Sequence, residues 1–407
     1  MLFQTLDDKR DCVGVYLNGE LLYDQVPDSL SKTWDYSTFL QDTNVEFAKF
    51  YCGGQTLEQV CPTNLNTQWE AVRSRLQAFY RSFQFAKVPL SENCFFDMVP
   101  ERFLLDYCEV RSRISQHVFD TYERPENYDF IRALAEALDE IRYQKLNIQM
   151  SGVRDIYHKE GTRKFIKKMQ KYSPYCKYNI WGTKTGRLTT MPGTFPILTL
   201  DKQYRSVLKP NNDWFLELDY NAAELRVAMS LAGHDQPKED IHQWNMDNIF
   251  GEMERQEAKR RIFAWLYGGK NITRSLTTND ETVGKLLEET YGRERIVGKH
   301  WTGTHVRTRF GRTIPSDHHH ALSYIIQSSC VDVVLRRLID ITDRLRGLKS
   351  RVAFTLHDSV VIDLADEDRG LIPELINLFG QNELGHFKVN VQAGRDFGNM
   401  KPLSLRN

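Results

Sequence analysis

Arg255, Lys259, Phe263 and Tyr267 recur every four residues and combine two cations, an aromatic ring and a phenol. A four-residue step advances an α-helix by about 400°, so successive members drift about 40° and share one stripe. Such a stripe suits a triphosphate at its cationic end and a base and sugar at its aromatic end. An amphipathic helix with a basic edge is the structural alternative. Two aspartates bracket this segment in the chain. Asp219 closes the apolar run Trp214-Phe215-Leu216-Glu217-Leu218, and Asp358 follows His357 between two apolar runs, 352–356 and 359–363. A carboxylate at the end of a buried strand is a common metal or catalytic position, with helix N-capping as the alternative. Aspartates 139 residues apart could share a pair of Mg²⁺ ions if their strands are neighbours.

The elements that must position these groups are legible around them. Residues 214–218 read as a buried central strand, followed by an amphipathic helix with Leu225, Ala228 and Met229 inward. Residues 352–363 read as a hairpin whose His-Asp tip lacks the Asn-Gly chemistry of a tight turn, which points to function. Gly268-Gly269 should end the helix that carries the four-residue stripe. Upstream, Phe103, Leu104, Tyr107, Val110, Ile114, Val118 and Phe119 define one helix, and Phe130, Ile131, Leu134, Leu138 and Ile141 a second. The short Pro125 turn between them suggests an antiparallel helical hairpin. Residues 154–177 hold eight Lys/Arg against Asp155 and Glu160, with tyrosines between, and read as a solvated helix face or a strip that tracks phosphates. The first 80 residues read as β-rich, with a hairpin around Asn18-Gly19. His318-His319-His320 cannot all face one ion, which weighs against a metal site there.

Composition bounds the class. A chain of 407 residues with 41% hydrophobic residues can build two or three packed domains and is not disordered. A mean hydropathy of -0.51 and the lack of a long apolar run argue against a membrane span. The N-terminus has neither a basic n-region nor an apolar core, so no secretory signal is expected. Seven scattered cysteines without a Cys-x-x-Cys fit a reducing, cytoplasmic setting rather than a disulfide scaffold. Basic and acidic residues balance at 54 each, so a nucleic-acid binder would have to segregate its charge.

At this point the motifs resemble a known family. Asp219-Tyr220-Asn221-Ala222-Ala223-Glu224-Leu225-Arg226 is similar to the first palm motif of family A, polymerase I-like DNA polymerases. Arg255-x3-Lys259-x3-Phe263-x3-Tyr267-Gly268 resembles their fingers motif, and Leu356-His357-Asp358 their second palm motif. Thr185-Gly186-Arg187-Leu188, Asp240-Ile241-His242 and Gln327 follow the family's order as well, so the resemblance covers about residues 180–365 motif by motif. It implies a mixed α/β (α+β) right-hand architecture with an antiparallel-sheet palm and helical fingers and thumb. The expected division is a small β-rich accessory region 1–80, thumb 81–178, palm 179–232, fingers 233–318 and palm 319–407.

The resemblance also implies roles. Asp219 and Asp358, with Tyr220 beside them, would hold two Mg²⁺ ions, with Mn²⁺ able to substitute. Arg255, Lys259 and His242 would grip the triphosphate, with Lys259 assisting the leaving pyrophosphate. Phe263, Tyr267 and Tyr220 would contact the incoming nucleotide, and Glu224 would exclude a 2′-hydroxyl. Thr185, Arg187, Gln327 and His357 would lie along the primed DNA. The implied reaction is template-directed, primer-dependent dNTP addition, with primed DNA and dNTPs as partners. A monomer with no membrane association is expected, working in phage replication in the host cytoplasm; a helicase–primase or processivity factor is left open.

Three departures stand out. Ser359 replaces the family's Glu after His-Asp, and Met191–Pro196 lacks the family's Asn-Leu-Gln-Asn run. The N-terminal 80 residues offer no Asp-x-Glu pair, so no proofreading exonuclease is expected. His-Asp-Ser also occurs in single-subunit RNA polymerases, against which Glu224 and the Thr-Gly-Arg-Leu segment argue. The remaining rival is a module that binds primed DNA without catalysis, favoured only by the missing third carboxylate.

Overall fold

The computed structural model describes residues 1–6, 14–23, 27–41, 43–88, 90, 93–268 and 281–403, excepting the side chain of Glu281. Gly269, expected to help end the stripe-bearing helix, lies outside the described residues. The chain divides into two units, Met1–Asp139 and Glu140–Asn407.

In the first unit, β1 (Gln4–Thr5), β2 (Val15–Leu17) and β3 (Glu20–Leu22) form a small antiparallel sheet. The expected hairpin is present, with Asn18 and Gly19 both at positive φ as a tight two-residue turn requires. The expectation of a β-rich region through residue 80 is not met. Residues 66–85 form a 20-residue helix, α1 (Asn66–Phe85), ahead of α2 (Glu101–Thr121). The cause is a helical period in the apolar residues. Trp69, Val72, Leu76, Phe79 and Phe83 recur at three- and four-residue steps and join the core that α2 builds from Phe103, Leu104, Tyr107 and Cys108. α3 (Tyr128–Arg142) carries the second predicted stripe, with Phe130, Ile131, Leu134, Leu138 and Ile141 all buried. α2 packs chiefly on α1 rather than forming the expected hairpin with α3. The unit boundary falls inside α3 and divides the expected thumb segment.

The second unit begins with the basic stretch, where α4 (Glu160–Met169) buries Thr162, Phe165 and Met169 and exposes Arg163, Lys164, Lys167 and Lys168. Its centre is a five-stranded antiparallel sheet. In chain order the strands are β4 (Trp214–Tyr220), β5 (Arg351–Leu356), β6 (Ser359–Leu364), β7 (Val389–Gly394) and β8 (Lys401–Pro402). In space they run β5-β6-β4-β7-β8, so the first carboxylate strand is inserted between segments from the far end of the chain. Phe215, Phe354 and Phe397 pack edge to face in the core beneath the sheet. Each such buried ring is worth about 1.5–3 kcal/mol.

Helices complete the unit: α5 (Ala223–Leu231), α6 (Ile241–Asn245), α7 (Arg255–Tyr267), α8 (Glu281–Tyr291), α9 (Arg293–His300), α10 (His318–Leu345) and α11 (Ile372–Gly380). α10 buries a long stripe from Ala321 to Leu345 against the sheet, α5 and α11. No helix among the described residues is long and apolar enough to cross a membrane.

Candidate active site

Strand register brings the two aspartates together. On β4, Asp219 is opposite Ser359 of β6 and Asn390 of β7, while β5 and β6 meet at the His357-Asp358 tip. The Tyr220 amide donates to the Asp358 carbonyl at 3.5 Å, tying the two segments by their backbones. Both turns carry backbone strain. His357 (φ 53°) and Ala222 (φ 51°), one at the hairpin tip and one capping α5, occupy the left-handed region without being glycine. Such residues cost about 1–3 kcal/mol each and persist where surrounding structure demands them.

The carboxylates are half-buried with little compensation. Asp219 accepts a bond from the Asn390 amide at 3.3 Å, and Asp358 one from the Cys330 thiol at 3.7 Å. Burial pushes the Asp219 carboxyl up to about 6, opposed by Asn390 and reinforced by the charges of Glu217 and Asp358. Burial also raises Asp358, opposed by Arg187. Anionic oxygens without a directly paired cation fit a divalent metal, which takes hard, charged ligands. Among the described residues, no three His, Cys, Asp or Glu side chains group as a complete cage. Two carboxylates brought to adjacent strand ends fit the donor set of Mg²⁺, which is usually held by one or two carboxylates with substrate phosphates and waters.

The Tyr220 side chain leaves β4 away from Asp219, so the part the sequence reading expects of Tyr220 at the metal or nucleotide falls to its backbone. Strand alternation turns the side chain to the face opposite Asp219, where its ring stacks on Phe379 at 4.3 Å and its hydroxyl donates to the Phe379 carbonyl at 2.6 Å. The period of two, applied to residues 214–220, would have shown this from sequence.

The fingers-like helix is as expected. Gly268, left-handed at φ 73°, caps α7 by donating to the Ala264 carbonyl. Ala258, Ile262 and Leu266 form its buried stripe, leaving Arg255 and Lys259 exposed one residue further round and the Phe263 and Tyr267 rings stacked 6.3 Å apart. His242, buried at the start of α6, is lowered by burial and by the cations of Arg255, Lys259 and Arg226, against the pull of Asp240. That electrostatic influence places His242 among the same cations.

A carboxyl network that the sequence reading missed holds this cluster. Asp240 caps α6 through the amides of His242 and Gln243, receives Asn221 Nδ2 at 2.8 Å, and pairs with Arg255 at 3.1 Å. Asn221 Oδ1 accepts from the Ile241 amide and from buried Arg226. Asn221 and Arg226 stand within the palm motif and Asp240 opens the Asp-Ile-His string, so the signal was present without its partner.

Glu224 links two predicted groups. Its Oε1 accepts from Arg187 at 2.8 Å and its Oε2 from the Tyr267 hydroxyl at 2.5 Å. Arg187 projects from the tight Thr185-Gly186 turn, in which Thr185 is buried. Arg187, His357 and Asp358 line one cleft of about 600 Å³ with Leu188 and Thr355. Gln327 is not in that cleft; it lines another with Tyr267, Arg293 and His318–His320. Asn390 and Cys330, the direct partners of the two aspartates, have no local sequence signature.

A family model described as DNA polymerase family A matches residues 132–399. A DNA polymerase of Mycobacterium phage L5 is 26% identical over 208 residues, which cover 43% of this chain and 34% of that protein. The match therefore spans about a third of that relative's length. The POL domain of Pol1 from M. smegmatis, in complex with DNA primer-template and dNTP, has a similar fold. It superposes with a TM-score of 0.66 over 97% of this chain and 95% of that one, at 12% identity. With the family's motifs assembled around one antiparallel sheet and the family model covering most of the chain, the protein belongs to DNA polymerase family A.

Proposed function

We propose that this chain is a template-directed DNA polymerase that adds dNTPs to a primer 3′ end and releases pyrophosphate. The observation that carries the reading is the convergence of Asp219 and Asp358, half-buried and, among the described residues, without a directly paired cation, in a chain that also carries the family's fingers motif on α7. The sheet β4–β8 serves as palm and residues 233–318 as fingers.

Asp219 and Asp358 would hold Mg²⁺, which when bound activates the primer hydroxyl and offsets charge on the leaving group. Arg255 releases Asp240 to bind the triphosphate, with His242 and Lys259 beside it. Lys259, for which the described residues offer no ion pair, is free to donate charge or a proton to pyrophosphate. Glu224, pinned at both oxygens, presents a fixed wall to the sugar. Arg187 and His357 line the cleft beside Asp358 that would receive the primer terminus. The exposed cations of α4 suit backbone phosphates, so binding should weaken steeply with salt.

Extension of a labelled primer–template by the purified protein, with dNTPs or NTPs, plus and minus Mg²⁺, tests the reading. Extension with dNTPs that needs Mg²⁺ and is lost in Asp219→Asn supports it. An inert wild type supports the non-catalytic binding module, and extension with NTPs alone supports an RNA polymerase-like enzyme.

A further inference from the structure

Position 359, directly opposite Asp219, carries a neutral hydroxyl, and a carboxylate stands one strand pair away on the same face. β4 places Glu217 two residues before Asp219, so both side chains leave the sheet on one side. The Ser359 hydroxyl lies 3.0 Å from Glu217 Oε1 and 3.0 Å from the Leu356 carbonyl. Its one proton favours the charged acceptor. Ser359 is itself 2% exposed, so this bond sits in a poorly solvated place where charge is weakly screened.

We infer that Glu217 supplies the third negative charge of the metal site, acting through Ser359 and through space rather than as a ligand. The inference rests on the polymerase reading for the metal and on Ser359 and Glu217 for the residue. Three observations define the role. Glu217 has no ion pair among the described residues, so its charge is not spent on a neighbouring cation. Glu217 engages the Ser359 hydroxyl, which faces Asp219 across the strand pair, so it acts through that neighbour as a positioning residue. Asn390, opposite Asp219 on the other strand, fixes that carboxylate from the far side, leaving the Ser359 side for charge.

The test separates charge from shape. Glu217→Gln keeps an acceptor for Ser359 and removes the charge. Mn²⁺ binding, read by electron paramagnetic resonance, is measured on the complex with a dideoxy-terminated primer–template and a dNTP, and corrected for DNA and dNTP alone. Glu217→Gln should weaken Mn²⁺ by about tenfold, the low end for outer-sphere partners of metal ligands. The transplant Ser359→Glu/Glu217→Gln should recover at least half of that loss on a logarithmic scale. Ser359→Glu alone, which sets two carboxylates in contact, should melt at lower temperature than the transplant. Thermal melting of each variant at neutral pH verifies folding, and the transplant stands as the second readout if Glu217→Gln is unstable. Mn²⁺ affinity within twofold of wild type in Glu217→Gln, no recovery in the transplant, or a wild type that binds no more Mn²⁺ than Asp219→Asn overturns the inference. Primer extension is scored separately, so an inert wild type with the predicted Mn²⁺ pattern rejects the polymerase reading and keeps the role of Glu217.

Discussion

The Tyr267 phenol and the Glu224 carboxylate are joined by a 2.5 Å hydrogen bond that bridges the end of α7 to the start of α5. Arg187 takes the other oxygen, so neither carboxylate oxygen is free to swing. A wall held at two points discriminates by sterics, because relaxing it would break a charged bond. Glu224→Ala should therefore raise the ratio of NTP to dNTP use by about 10- to 200-fold, the range for one altered contact in a binding pocket. Tyr267→Phe, which frees one oxygen only, should fall between wild type and Glu224→Ala. Single-nucleotide incorporation kinetics with matched dNTP and NTP would measure both, and an unchanged ratio in Glu224→Ala rejects the wall.

Arg255 and Lys259 share a stripe but not a situation. Arg255 is already paired with Asp240, whereas no described residue pairs with Lys259. Asp240→Asn should free Arg255 and loosen the cap of α6 at once, so its effect on dNTP affinity is the sum of opposed terms. Arg255→Ala should mainly raise the apparent KM for dNTP. Lys259→Ala should also lower the chemical rate, by about 10²–10⁴-fold if it acts as a general acid. Pre-steady-state extension, which separates the nucleotide Kd from the maximal rate, decides it. Equal effects confined to Kd would leave Lys259 a binding residue only.

Local periodicity made most of the site legible in the sequence. The four-residue stripe, the buried strand ending in Asp219 and the hairpin with His357-Asp358 are each short-range patterns, and each element stands where its pattern puts it. What the sequence hid is pairing across the sheet. Nothing local to Asn390, 171 residues after Asp219, announces that β7 will set it beside that aspartate of β4. Glu217 and Ser359 meet for the same reason, through a register set by strands far apart in the chain. The N-terminal difference has the opposite origin. The hairpin signal at Asn18-Gly19 holds only locally, whereas Trp69, Val72 and Leu76 keep a helical period and build α1.

Asp219 should couple metal use to pH. Burial, and then the charges of Glu217 and Asp358, push its carboxyl up to about 6. Below pH 6 a metal must displace that proton, so the half-saturating Mg²⁺ should rise by up to about tenfold per pH unit. Above pH 6 it should level off. The same shift bears on stability with the opposite sign. A carboxyl whose folded pKa lies above its unfolded value favours folding at low pH and loses that advantage as pH rises from about 4 through 6. Asp219→Asn should thus be inactive yet more stable than wild type at pH 8, by no more than about 3 kcal/mol. Denaturant melts at pH 5 and pH 8 measure the gain, which should be larger at pH 8; a gain independent of pH would point to packing instead.

Gly186 should prove intolerant of any side chain, for a reason set by residues far from it in sequence. It sits at φ 81° in the turn that aims Arg187, and a Cβ there would come within 2.6 Å of the Arg312 guanidinium carbon. A flexible arginine would ordinarily move aside. Arg312 is not free to do so, because its Nε lies 2.8 and 2.9 Å from the two oxygens of Asp332, a carboxylate 1% exposed. Withdrawing the guanidinium would leave that charge buried and unpaired, at a cost of about 3–5 kcal/mol. The turn must therefore give way, and with it Arg187 and its bond to Glu224. Gly193→Ala is the control, since Gly193 has a similar φ of 78° and open space around its Cβ position. Both variants carry backbone strain of about 1–3 kcal/mol. Only Gly186→Ala should add a loss of primer–template affinity and a higher NTP to dNTP ratio, read by titration of a fluorescent primer–template and by single-nucleotide incorporation. If the two alanines behave alike, Arg312 yields and the Asp332 pair does not brace the turn.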